Sequence, residues 1–265
     1  MQTLINKMDQ RGVLTLCMDR PEVFNAFNAA MIGELTHALE DAGRDDHVRM
    51  VVITGSGSCF SAGADLNWMR NQVNASIGDN KADALALARL MRTLNYLSKP
   101  TIAMVNGAAF GGGLGLIAAC DITISVDDAR FGLTEARLGL APAVISPYVF
   151  RRIGEGNARR YFLSGERFDV QQAREMGLIQ QTVEADHLAD AIESIISDLL
   201  KSGPSAVMHC KQLAFAVAGH NADSQETIDE FTAGLIARLR VSAEGQEGLA
   251  AFLEKRKPDW TNRNE

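Results

Sequence analysis

Apolar positions in the first two-thirds of the chain switch between two periods. Residues 48–55, VRMVVITG, are apolar on nearly consecutive positions and close on a glycine. Residues 99–107, KPTIAMVNG, and 120–128, CDITISVDD, repeat that habit. Such runs fit strands buried on both faces, as in parallel sheets. RGVLTLCMD (11–19) reads as a further strand ending before Arg20-Pro21. Between the strands, residues 28–42 set Met31, Leu35, Ala38, Leu39 and Ala42 on one face, which is helical spacing. Helical segments also fall near 81–97 and at 112–119. Strand–helix alternation of this kind predicts an α/β class. Beyond residue 150 the strand signals thin out. Segments 155–165, 169–177 and 185–203 read as helices closed by glycine. Residues 204–219, 223–241 and 247–260 complete a helical C-terminal third. The polar stretch 71–83 reads as a mobile loop.

Composition narrows the class. The chain has 265 residues, 46% of them apolar, which suffices for a large core. The formal charge is −7, and no Lys/Arg-rich run appears, so nucleic acid is not an expected partner. No run of about 18 apolar residues suggests a membrane span. The opening MQTLINKMDQRG lacks the apolar core of a secretory signal, so a cytoplasmic location is expected. Cys17, Cys59, Cys120 and Cys210 are scattered, and the five histidines (37, 47, 187, 209, 220) show no ligand spacing. Neither a disulfide framework nor a metal site is expected.

Nucleotide motifs are absent or broken. GSGSCF (55–60) begins like a dinucleotide fingerprint, but Phe60 stands where the third glycine belongs. There is no P-loop and no GxSxG elbow. Two small-residue stretches remain, SAGADL (61–66) and AAFGGGLG (108–115), each following a predicted strand. Ligands bind beyond the carboxyl ends of such strands. Small residues there let a ligand approach the backbone, and a helix N-terminus exposes free N–H groups. Two N–H groups from two loops would form an oxyanion hole. Tight packing is the competing explanation for any single glycine. The paired stretches favour function. Glu135, in ARFGLTEARLGLAP (129–142), is open to two readings. It is either a desolvated acid suited to proton transfer or a solvated carboxylate at a helix start.

DRPEVFNAF (19–27), FSAGADL (60–66), KPTIAMVNGAAFGGG (99–113), CDITISVDDARFGLTEARLGLAP (120–142) and AFLEKRKPDW (251–260) together resemble the crotonase superfamily, the enoyl-CoA hydratase/isomerase family. The resemblance covers nearly the whole chain. It implies a spiral core of repeated ββα units over residues 1–200 and a helical oligomerisation region over 201–265. It implies homotrimers or dimers of trimers. It implies an acyl-CoA thioester substrate, with no separate cofactor because CoA is part of the substrate. The N–H groups of Ala64 and Gly112 would match the family's oxyanion hole, and Glu135 its catalytic acid. The backbone around Ala62, Asp65 and Leu66, helped by Asn25 and Ala26, would match the CoA-binding site.

One position departs from the family pattern. Two-carboxylate hydratases carry a second glutamate in the helix after the glycines, and this chain has Gly115 there. LAPAVISPYVFRRIG (140–154) and NARRYFLSGERF (157–168) resemble 3-methylglutaconyl-CoA and isohexenylglutaconyl-CoA hydratases, of leucine and acyclic terpene breakdown. Both substrates bear a second carboxylate. That carboxylate, or Ser146 or Tyr148, is then expected to hold the water, with Gly115 making space. Arg70, Arg137 and Arg151 are candidates to pair with the carboxylate. A Δ3,Δ2-enoyl-CoA isomerase, which needs only one glutamate, is the alternative activity. A non-catalytic acyl-CoA- or RNA-binding scaffold is the third reading.

Overall fold

A computed structural model describes residues 2–262 of the chain. It opens with an antiparallel hairpin of β1 (Leu4–Met8) and β2 (Val13–Met18). Helix α1 (Ala29–Arg44) follows, its first turn capped by the Asn28 side chain on the Met31 amide. A strand–strand–helix unit then recurs. β3 (Met50–Gly55) and β4 (Cys59–Ser61) lead into α2 (Leu66–Val73) and α3 (Ile77–Asn95). β5 (Thr101–Val105) and β6 (Ala108–Phe110) lead into α4 (Gly112–Ala119). β7 (Ile122–Val126) and β8 (Arg130–Gly132) lead through a 3₁₀ turn, Thr134–Leu138, into α5 (Ser146–Ser164). The chain finishes with β9 (Arg167–Asp169), α6 (Val170–Glu175), β10 (Gln181–Val183), α7 (Leu188–Leu200), α8 (Pro204–Val217), α9 (Ala222–Val241) and α10 (Ala243–Leu253).

Each recurring unit gives its first, longer strand to one sheet and its second, shorter strand to another. The large sheet runs β1-β2-β3-β5-β7-β10, parallel except at β1. The small sheet runs β4-β6-β8-β9, with β9 antiparallel. This is the expected α/β spiral. Leu16, Ile53, Ile102 and Val105 are fully buried, which accounts for their consecutive apolar runs. The site lies where the short strands end, because each short strand delivers a loop to the same edge.

The structure revises several expectations. The stretch 71–83 is largely helical, since α2 runs to Val73 and α3 begins at Ile77. Ser76 caps α3, and Asn80 is fully buried, its amide donating to the carbonyls of Gln72, Ala75 and Ser76. Polarity there serves helix termini rather than solvent. β1, β9 and β10 carry no readable period: β1 buries only Leu4, and the other two are three residues long. α5 starts at Ser146, well before residue 155, and kinks at Gly154. α10 stops at Leu253, and Lys255 turns the chain with a positive φ.

Helix α4 is buried on every side from Gly113 to Ala119. A Cβ at Gly115 would lie 2.4 Å from Cγ2 and 2.9 Å from Cβ of Ile145. Ile145 is itself buried. The space expected to serve a substrate is therefore filled by a core isoleucine, and Gly115 is a packing residue. Gly115→Ala is expected to destabilise the fold by about 1–3 kcal/mol through overpacking. Chemical denaturation measures the loss, and an unshifted midpoint would contradict this packing. Gly115→Glu should be worse, giving a lower melting temperature rather than a second active carboxylate.

Candidate active site

The loop between β4 and α2 is held by one strand-like contact. Phe27 and Ala64 form an isolated parallel bridge. The Phe27 amide donates to the Gly63 carbonyl at 2.6 Å, and the Asp65 amide donates to the Phe27 carbonyl at 2.8 Å. In parallel pairing one residue bonds the two flanking its partner, so the Ala64 N–H points away from Phe27. It has no backbone acceptor among the described residues. Gly112 opens α4, where the first amides have no intrahelical acceptor. Both residues line one cavity of about 360 Å³. A Cβ at Gly112 would lie 2.7 Å from the Phe27 ring, so only glycine lets α4 start this close to the bridge.

Behind the loop sits a polar brace. Asp65 accepts from the Asn67 and Trp68 amides, capping α2, and pairs with Arg20 at 2.7 Å. Burial works against its charge, but Arg20 and the two amides outweigh burial and hold the carboxyl below its ordinary value. Arg20 also donates to the Ala26 carbonyl. Asn25 is fully buried, its amide spanning the carbonyls of Ser56 and Cys59 while its Oδ1 accepts from the Arg20 amide. The expected CoA-site residues thus divide. Ala62 and Ala64 line the cavity. Asn25, Ala26 and Asp65 are buried behind it, their polar atoms spent on the brace. Leu66 is half exposed and outside the lining.

Glu135 reaches the cavity from the 3₁₀ turn after β8. Its Oε1 lies 3.1 Å from where a Cβ of Gly111 would stand, which places the carboxyl against the glycine loop. Gly111 has φ +48 and ψ −120, a conformation that suits glycine. Oε2 of Glu135 is enclosed and has no hydrogen-bond partner among the described residues. Burial is the main cause that pushes the carboxyl up from 4.5 to about 7, with its own backbone amide offsetting a little. The structure thereby decides between the two readings of this residue: it is a desolvated acid.

The remaining candidates separate sharply. Arg137 lines the cavity and is exposed. Arg70 is exposed and donates to Asn67 outside the cavity lining. Arg151 donates to Gln225 and lines a different cavity together with Tyr148. Ser146 spends its hydroxyl on the Ala143 carbonyl. The expectation that Ser146 or Tyr148 meets the substrate is therefore corrected, because neither lines the Glu135 cavity. Sequence reasoning missed Arg240, a buried residue of α9 that lines the Glu135 cavity. Burial lowers its basicity, to a value of about 10. Arg238 and Arg240 close α9, where cations ordinarily complement the helix dipole, and that bland pattern hid it.

Comparisons with known proteins agree with this geometry. The sequence profile of the enoyl-CoA hydratase/isomerase family matches residues 8–263. The 2,3-dehydroadipyl-CoA hydratase of Escherichia coli K12 is 34% identical over 268 residues, covering 99% of this chain and 100% of its own length. The 1,2-epoxyphenylacetyl-CoA isomerase of the same organism is 32% identical, covering 96% and 97%. The crystal structure of an enoyl-CoA hydratase from Shewanella pealeana superposes with a TM-score of 0.79 at 44% identity, covering 97% of this chain and 96% of that one. With a two-sheet spiral, two free amides and a desolvated carboxyl in one cavity, the chain belongs to the enoyl-CoA hydratase/isomerase family of the crotonase superfamily.

Proposed function

We propose that the enzyme adds water across the double bond of a branched, glutaconyl-type enoyl-CoA, such as 3-methylglutaconyl-CoA or isohexenylglutaconyl-CoA. One observation carries the reading: the carboxyl of Glu135, its enclosed Oε2 without a partner among the described residues, shares a cavity with the free amides of Ala64 and Gly112. The thioester oxygen would accept from both amides. Ionised Glu135 takes a proton from water as the water oxygen bonds to Cβ. The double-bond electrons move into the thioester, whose oxygen becomes enolate-like. Glu135 then returns its proton to Cα, and the sum is one water added. Each oxyanion donor is typically worth about 3 kcal/mol. A single carboxyl serves both halves because Ile145 occupies the space at Gly115.

CoA would lie along Ala62–Ala64, its phosphates near the exposed Arg137, Arg167 and Arg256, which line the same cavity. The brace of Asn25, Ala26 and Asp65 would position that loop rather than touch CoA. CoA being part of the substrate, no other cofactor is invoked. Assembly as a homotrimer or dimer of trimers through the helical third is part of the same proposal, supported by the exposed Leu213 and Val217 on α8 and Phe231 on α9. A relative named for a dehydroadipyl group, itself dicarboxylic, supports a second carboxylate on the acyl chain. The single glutamate also suits Δ3,Δ2-isomerisation, the second reading, and the relative named 1,2-epoxyphenylacetyl-CoA isomerase shows that similar chains include isomerases. Assays with crotonyl-CoA, a 3-enoyl-CoA and 3-methylglutaconyl-CoA separate the two: lost enoyl absorbance reports hydration, gained absorbance isomerisation.

Glu135→Gln is expected to lower kcat/KM about a hundredfold or more, the scale of general acid–base catalysis. Since ionised Glu135 starts the reaction, kcat/KM of the unmutated enzyme should rise with pH through about 7. Stability runs the other way. Folding raises this carboxyl above its unfolded value of 4.5, so its ionisation progressively destabilises the fold between about pH 4.5 and 7. Glu135→Gln should leave stability unchanged at pH 4 and raise it at pH 8, on the order of 3 kcal/mol. Denaturation at both pH values measures this, and equal effects would contradict the desolvated acid. Asp65→Asn keeps a competent cap and removes the charge facing Arg20. It should cost about 2 kcal/mol of stability, the scale of a hydrogen bond to a charged group, and lower kcat more than it raises KM, because the amide of Ala64 shifts while the rim cations stay. Steady-state kinetics checks that split.

A further inference from the structure

The cavity also contains a buried charge that the proposed chemistry does not use. Arg240 is 8% exposed and lines the cavity beside Trp68, Met69 and Ile236. Its Nη1 donates to the carbonyl and to Oδ1 of Asn80, both at the long distance of 3.4 Å. Its guanidinium lies 5.9 Å from the centroid of the Trp68 ring. These are weak, neutral partners. Nε and Nη2 have no protein acceptor, and no carboxylate lies within ion-pair reach, among the described residues. Asp83 acts on Arg240 only at longer range, and its Oδ2 already accepts from Trp68 Nε1 and Gln72 Nε2.

A guanidinium is not deprotonated in proteins, and arginine is almost never fully buried unless paired. Its natural match is a planar carboxylate taken bidentately through the free edge. We infer that Arg240 is the receptor for a carboxylate at the far end of the acyl chain, so that the enzyme selects dicarboxylic acyl-CoA thioesters. A CoA phosphate is the weaker match. The exposed cations Arg137, Arg167 and Arg256 suit hydrated phosphates, whereas Arg240 is set into an apolar wall of acyl-chain character. The inference rests on the acyl-CoA reading of Ala64, Gly112 and Glu135, and it names a residue that the candidates Arg70, Arg137 and Arg151 did not include.

Binding calorimetry tests it without turnover. The unmutated enzyme is expected to bind glutaryl-CoA more tightly than pentanoyl-CoA, which has the same chain length and no second carboxylate. Arg240→Met should shrink that preference about tenfold to a hundredfold, the range of a charge-assisted pair. Arg240→Lys should keep part of it. Equal affinities in the unmutated enzyme overturn the inference, and that comparison needs no variant to fold. An equal loss of both ligands in a folded Arg240→Met variant also overturns it, since that would mark a purely structural arginine. If glutaryl-CoA is preferred through Arg240 but 3-methylglutaconyl-CoA is not hydrated, the inference stands and the hydratase reading falls.

Discussion

Everything at the site depends on two backbone segments approaching closer than side chains allow. The β4–α2 loop and the start of α4 touch almost main chain to main chain. A Cβ at Gly63 would lie 2.9 Å from the Phe110 carbonyl oxygen, and one at Gly113 would lie 2.8 Å from Cβ of Ser61. Glycine concedes conformational entropy to permit this. In return, the amides of Ala64 and Gly112 reach one cavity from two different elements. The buried brace of Arg20, Asn25 and Asp65 then fixes the loop from behind. Donors fixed before the substrate arrives need not reorganise as charge develops, which is what makes such a hole effective.

Much of this architecture could be read from sequence. Consecutive apolar runs marked β3, β5 and β7, and one-sided spacing marked α1, because burial on both faces or on one face leaves those periods. The short strands β9 and β10 could not be read, since three residues carry no period. The stretch 71–83 misled because its polar residues cap and brace helices internally. Site residues divided along the same line. Local motifs exposed Ala64, Gly112 and Glu135. Arg240 meets Asn80 across 160 residues of sequence, a contact that only the packing of α9 on α3 creates.

Gly115 shows how a single position can mislead by its chemistry alone. A glycine where the family resemblance implies an acid suggests vacated space for a ligand. Packing instead draws Ile145 into that space, because an apolar interior closes over a missing side chain. The consequence is electrostatic. Two carboxylates sharing one site, as the resemblance implies for two-glutamate hydratases, raise each other's pKa by like-charge repulsion. With an isoleucine there, burial is left as the main cause that raises the pKa of Glu135 to about 7. Glu135 is thereby poised close to neutrality, where the proposed chemistry has one group both accept and return a proton.

The two desolvated groups of this cavity, Glu135 and Arg240, illustrate unequal solutions to desolvation. Glu135 can shed its charge by binding a proton, so the fold tolerates its enclosed Oε2 without a partner. Arg240 has no such escape, because its pKa of about 10 still leaves it charged at neutral pH. It must find polar neighbours, and Asn80 with the Trp68 face supplies only weak ones. A hydrophobic residue at this position would fill the same wall without that penalty. An arginine held there in spite of the cost points to selectivity rather than stability, with the carboxyl tuned for chemistry and the guanidinium held for recognition.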